Sequence, residues 1–201
     1  MIYVDLHVHT NYSFDSTIPP KTIVERLYMH PFIKAVAITD HNRVEGYYKV
    51  KQLAFAYPDI LIIPGVEITT FEGDLILLGV AELPPKEWTV ENVIDFAREN
   101  NSLIVVAHPY RAHGLGDLTK KYNVDAIEVL NGVSSSHVNH MAEKLAKQLG
   151  LPGVAGSDAH HIDELWSVYN EVQASSNVDE ILKAIKRGFV RAVQTGKSIH
   201  F

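Results

Sequence analysis

His7 and His9 are the first residues in the chain that could do chemistry. They stand two apart in Asp5-Leu6-His7-Val8-His9-Thr10, and on an extended segment that spacing projects both imidazoles to one side, where they can bind one ion together. Asp158 and His160 repeat the spacing in Gly156-Ser157-Asp158-Ala159-His160, with Gly156 permitting close backbone approach. His41 and His108 each follow an apolar run, as does Glu67. A carboxylate in such a place is costly unless it is paired or bound to a metal. Asp40, directly before His41, has the character of an acceptor that orients an imidazole, and it is also a candidate catalytic group. Asp15, in Asn11-Tyr12-Ser13-Phe14-Asp15-Ser16, fits either a turn or the cluster. The chain has 11 histidines and no cysteine, so any metal must be held by nitrogen and oxygen. His30, His113, His137, His140, His161 and His200 read as structural or surface residues.

These residues need elements to bring them together. Short apolar runs recur at Ile2–Leu6, Ala35–Ile38, Ile60–Val66, Leu75–Val80, Leu103–Ala107, Ala126–Leu130 and Gly153–Ala155. Between them lie stretches of helical spacing at Pro20–Met29, Val44–Ala56, Val90–Glu99, Ser135–Leu149 and Val178–Gly188. Strands alternating with helices predict a parallel sheet. The third and fourth strands are joined only by Phe71-Glu72-Gly73-Asp74, which fits a hairpin. Pro20 suits a first helical turn, Asn177 an N-cap, and Gly150 with Pro152 a helix stop. The tail from Trp166 is expected to close the fold. An α/β barrel and a doubly wound open sheet both fit this succession. In a barrel, the candidate residues, together with Glu128 and Asn131 after the sixth strand, converge on one rim.

Composition sets the outer limits. The chain has 201 residues, 46% hydrophobic and 21% charged, as expected for one globular domain spanning residues 1–201. A net charge of −6 with no broad basic face argues against a stable nucleic-acid complex, although bound cations would invert the local field and leave nucleic acid open as a substrate. No signal-like or membrane-length apolar segment is read at the sequence level, so a cytoplasmic location without membrane association is the expectation.

The motifs Asp5-Leu6-His7-Val8-His9-Thr10 with Ser13 and Asp15, Thr39-Asp40-His41, Gly65-Val66-Glu67, Ala107-His108-Pro109 and Gly156-Ser157-Asp158-Ala159-His160 resemble those of the PHP (polymerase and histidinol phosphatase) superfamily of metal-dependent phosphoesterases. The resemblance implies a distorted (β/α)7 TIM-like barrel in a single domain, with two or three divalent ions such as Mn, Zn or Fe. By the same resemblance, His7, His9, Glu67 and Asp158 hold one ion, and Glu67 bridges to a second that also takes His108. Asp15, His41 and His160 hold a third. Many members carry a further histidine on or just after the fourth strand, and this chain has none there; either Glu128, Asn131 or solvent is expected to substitute, or the second ion is expected to bind only together with substrate.

A metal cluster of this kind can hold a bridging hydroxide as nucleophile and neutralise phosphate oxygens during in-line displacement. Arg111, after His108-Pro109-Tyr110, and Arg43, after His41, are placed to reach those oxygens. The expected activity is hydrolysis of phosphate mono- or diesters on a small metabolite, a nucleotide or an oligonucleotide end. An amidohydrolase-like attack on a C–N bond and a non-catalytic member that binds metal or a partner are the alternatives.

Overall fold

The computed structural model describes residues 1–195; His200, read above as incidental, lies outside them. The first strand, β1 (Ile2–Val8), leads into α1 (Pro20–Met29), β2 (Ile33–Ile38), α2 (Glu45–Ala54) and β3 (Leu61–Thr69). The short turn then gives β4 (Asp74–Leu78), followed by α3 (Val90–Glu99), β5 (Leu103–Val106), β6 (Ala126–Asn131), α4 (Ser136–Leu149) and β7 (Gly153–Gly156). Two strands beyond the expected seven, β8 (Val168–Val172) and β9 (Val190–Gln194), flank α5 (Val178–Lys186).

The sheet runs β7-β6-β5-β4-β3-β2-β1-β8-β9 and curls into a nearly closed barrel. Neighbouring strands are parallel except around β4, which is antiparallel to both β3 and β5, and around β8 and β9. The hairpin is therefore real, and it has a consequence for the site: β4 presents its N-terminal end, not its C-terminal end, to the rim where its neighbours finish. The closing tail is real as well. β8 pairs antiparallel with β1, and Asn170 on β8 fills the seam between β1 and β7, donating to Val4 O (3.2 Å) and Ala155 O (2.7 Å) and accepting from Ala155 N (2.8 Å).

Inside the barrel, Val4, Leu6, Ala35, Ala37, Ile63, Ile76 and Leu78 pack with Val105 and Val154, and α5 seals this core with Ile181 and Ile185. Further apolar clusters fill the space between the sheet and the outer helices, α3 and α4 on one side and α1 and α2 on the other. The helix ends behave as the sequence implies: Asn177 accepts from Glu180 N, and Gly150 takes φ 65°, the left-handed cap conformation that glycine adopts without strain. No helix among the described residues is long and apolar enough to cross a membrane.

Candidate metal centre

Strict alternation along β1 would send His7 and Leu6 to opposite faces. Leu6 belongs to the barrel interior and Val8 to an outer cluster, yet His7 and His9 both reach the rim site. The pairing of β1 with β2 slips between Asp5 and Val8, and this irregularity re-aims the strand end. A second slip on β6, between Glu128 and Leu130, likewise brings Glu128 and Asn131 to one side although they are three residues apart.

The side chains meet closely. His7 Nε2 lies 3.0 Å from His9 Nε2, and Glu67 Oε2 is 3.1 Å from the former and 3.3 Å from the latter. Asp158 Oδ1 is 3.3 Å from each of the same two nitrogens. Around this group, His108 Nε2 approaches Glu67 Oε1 at 3.0 Å, and His41 Nδ1 lies 3.2 Å from Glu67 Oε2. Asp15 Oδ2 is 3.4 Å from both His41 Nε2 and His160 Nε2.

Hydrogen bonds fix which ring nitrogens carry hydrogen. Glu128 Oε1 can only accept, so His7 Nδ1, 2.9 Å away, donates to it. Ser13 Oγ donates to Asp40 Oδ1 (2.9 Å), so its oxygen accepts from His9 Nδ1 at 3.1 Å. In the neutral rings both Nε2 atoms are then lone-pair acceptors facing one another and two carboxylate oxygens. Four electron-rich atoms in so small a space are stable only around a positive centre, and this donor set suits a divalent cation. Among the described residues three groups bring their ligand atoms within 4.8 Å of one another: His7, His9, Glu67 and Asp158; His9, His41 and His160; and Glu67, Asp74 and His108.

Without a metal, protons must supply the charge. Burial works against a charged His9, but hydrogen bonds to Asp158 and Glu67 carry its pKa up to about 9. Burial is the largest influence on Glu67 and Asp158 and opposes their ionisation, but the His7 charge together with hydrogen bonds from His9, and for Glu67 also from His7 and His108, holds both carboxyls well below their usual range. Behind the cluster, burial raises Asp5 to about 7; its Oδ1 braces Ser157 N (2.9 Å) and His7 N (3.3 Å) across the seam. His108 and Asp158 both hold left-handed backbones, at φ 23° and 54°, an uncommon conformation for residues other than glycine that tends to mark functional positions.

Several expectations are corrected by this geometry. Glu128 does not complete the second group: Oε1 faces His7, while Oε2 accepts from His108 N (2.8 Å) and Asn131 Nδ2 (3.0 Å). Asp74 takes the place beside Glu67 and His108 instead. It is buried, its Oδ1 has no hydrogen-bond partner, and burial together with the Glu67 charge raises its pKa to about 6. The hairpin reading held the clue, because an antiparallel β4 begins at the rim. Asp40 does orient an imidazole, as expected, but that of His9 and through Ser13: its oxygens accept from Thr10 N (2.6 Å), Thr10 Oγ1 (2.7 Å) and Ser13 Oγ, so a direct catalytic contact is not what its hydrogen bonds serve. Arg111 Nη1 pairs with Asp158 Oδ2 and lies 3.4 Å from Asn131 Oδ1 at the half-exposed rim. Arg43 is exposed and makes no ion pair or hydrogen bond among the described residues. Outside the cluster, His30 serves the scaffold: its Nδ1 accepts from Ile33 N at 2.9 Å.

The assignment of Glu128 as a positioning residue gives a direct expectation. In Glu128→Gln the amide group must face one of the N–H donors that the carboxylate now accepts, loosening His7 or the His108 backbone. Metal affinity measured by calorimetry should fall by about 10- to 100-fold, the usual cost of removing such a support; an unchanged affinity would remove Glu128 from this role.

Comparison with known proteins agrees with this architecture. Residues 136–190 match the family model described as PHP-associated. An uncharacterised protein of Methanocaldococcus jannaschii, MJ1587, is 33% identical over 159 residues, covering 72% of this chain and 92% of the relative. A two-domain protein from Bacteroides vulgatus, described as containing a PHP-like metal-dependent phosphoesterase, superposes with a TM-score of 0.81 at 18% identity. That match covers 96% of this chain and 64% of the larger protein, so the chain spans less than two thirds of it. An amidohydrolase from Chromobacterium violaceum, solved with sulfate and no metal, gives a TM-score of 0.64 at 18% identity, covering 78% of this chain and 87% of that one. The chain belongs to the PHP superfamily.

Proposed function

We propose that the chain is a metal-dependent phosphoesterase that hydrolyses phosphate mono- or diesters of a small metabolite, a nucleotide or an oligonucleotide end. One observation carries this reading: three metal-suited groups joined through Glu67 and His9, with the Arg111 guanidinium beside them at the open rim. The PHP-like phosphoesterase description of the Bacteroides vulgatus protein supports it. His7, His9, Glu67 and Asp158 would hold one divalent ion, His108 with Glu67 and Asp74 a second, and His41 and His160 with His9 and Asp15 a third. Bound ions would supply Lewis-acid neutralisation of phosphate charge and a water acidic enough to attack near neutral pH.

The protein's own residues do the positioning. Glu128 and Ser13 hold the two β1 imidazoles with Nε2 toward the cluster. Arg111, tied to Asp158 and Asn131 and half-exposed, keeps donors free for a phosphate oxygen. Arg43, exposed and free of ion pairs among the described residues, would be a second candidate for that task.

The test is phosphate release from p-nitrophenyl phosphate and bis-p-nitrophenyl phosphate by metal-stripped protein reconstituted separately with Mn, Zn, Co and Mg, with bound metal counted alongside. Turnover that returns only with metal is expected. Stoichiometric metal with no phosphate release from either ester would sink the proposal, and ammonia release from amide substrates would transfer it to the C–N hydrolases.

A further inference from the structure

The three groups differ in donor chemistry. The group of His9, His41 and His160, with Asp15 alongside, is rich in nitrogen; His7, His9, Glu67 and Asp158 are evenly mixed; Glu67, Asp74 and His108 offer two carboxylates and one imidazole. Carboxylate oxygen suits harder ions such as Mn²⁺ and Mg²⁺, whereas imidazole suits Zn²⁺ and its neighbours. We infer that the centre is site-differentiated, with Asp74 making the Glu67–Asp74–His108 position a hard-ion subsite that takes Mn²⁺ beside softer ions in the other two. This deepens the proposed function and rests on its metal sites, not on the identity of the reaction.

The geometry at Asp74 is that of a ligand awaiting a cation. The side chain is 4% exposed and its Oδ1 has no protein partner, although the polar turn around it is otherwise well satisfied: Thr70 Oγ1 donates to Gly73 O at 2.6 Å and accepts from Gly73 N at 3.0 Å. The backbone is held from outside the site, Asp74 N donating to His113 O at 2.7 Å, so the carboxyl is not needed to anchor the strand. A buried acceptor with no donor is expensive unless something positive occupies the space it faces. Among the described residues no lysine or arginine pairs with Asp74: Arg111 turns to Asp158 and Asn131 instead.

The experiment reconstitutes metal-stripped protein in Mn²⁺ at tenfold excess over Zn²⁺, counts both metals by mass spectrometry, and locates them in crystals by anomalous scattering at the two absorption edges. Wild type should carry Mn at Asp74 and Zn at the other two positions. Asp74→His should lower the bound Mn:Zn ratio by about tenfold or more, the scale on which single-ligand environments tune affinity. Asp74→Asn, which keeps the side-chain shape, should lose the ion at this position and retain the other two. Zn at all three positions in wild type, an empty Asp74 position, or an unchanged ratio in Asp74→His would overturn the inference. Because metals are counted without reference to turnover, Mn at Asp74 in a protein that released no phosphate would sink the phosphoesterase reading and leave this one standing.

Discussion

Asp158→Ala should lower kcat/KM for any substrate by on the order of a thousandfold, with each tenfold step corresponding to about 1.4 kcal/mol of transition-state stabilisation. The carboxylate stands 3.3 Å from the Nε2 atoms of both His7 and His9, and its other oxygen receives Arg111 and Asn131 Nδ2 (3.1 Å). Its removal would therefore delete one of the proposed ligands and free the Arg111 guanidinium from its pairing. Asp158 also sits at φ 54°, which alanine tolerates poorly and asparagine well, so Asp158→Asn separates backbone strain from loss of charge. Both variants should lose metal and activity, with Asp158→Asn retaining the unfolding temperature of metal-free wild type. Full activity in Asp158→Asn would mean that the centre has been placed wrongly.

Gly156→Ala should be nearly as damaging, and by a different route. A Cβ at this position would lie 2.3 Å from His7 Cβ and 2.4 Å from Glu128 Oε1, closer than real contacts permit. Either β7 retreats from β1 or the His7–Glu128 hydrogen bond breaks. Overpacking of this kind costs about 3 kcal/mol, roughly 6–12 °C in unfolding temperature for a domain of this size. Metal content should fall with it, since His7 loses its orientation. Thermal unfolding of metal-free protein and a metal count on the reconstituted variant check both parts; wild-type values in the two assays would show that the seam has room the geometry denies it.

The parts of the fold that were legible in the sequence are those with an uninterrupted local signal. The seven apolar runs became strands because each is buried on both faces, and Pro20, Asn177 and Gly150 mark helix ends through backbone chemistry that needs no tertiary context. The strands β8 and β9 were harder to see. Val168–Val172 buries alternate residues and Val190–Gln194 is only partly covered, so neither shows a continuous apolar run. Residues converging on the rim could be read because parallel strands end together there. Asp74 escaped that reading because it begins a strand, and the roles of Glu128 and Ser13 escaped it because they depend on register slips and on contacts between residues far apart in the chain. Arg43 shows the converse: adjacency to His41 in sequence did not bring it into the cluster.

The seam between β1 and β7 also bears on the order of assembly. At the rim it is closed by His9 N donating to Ala159 O at 3.1 Å and Asp158 N donating to His7 O at 2.8 Å, so the same short segments supply the ligands and the latch. During synthesis from the N-terminus the β1 histidines emerge first and wait for nearly the whole barrel before Asp158 and His160 can join them. A nascent chain would thus bring together only part of the cluster, and any metal held jointly by His7, His9, Glu67 and Asp158 would have to wait for the barrel to close.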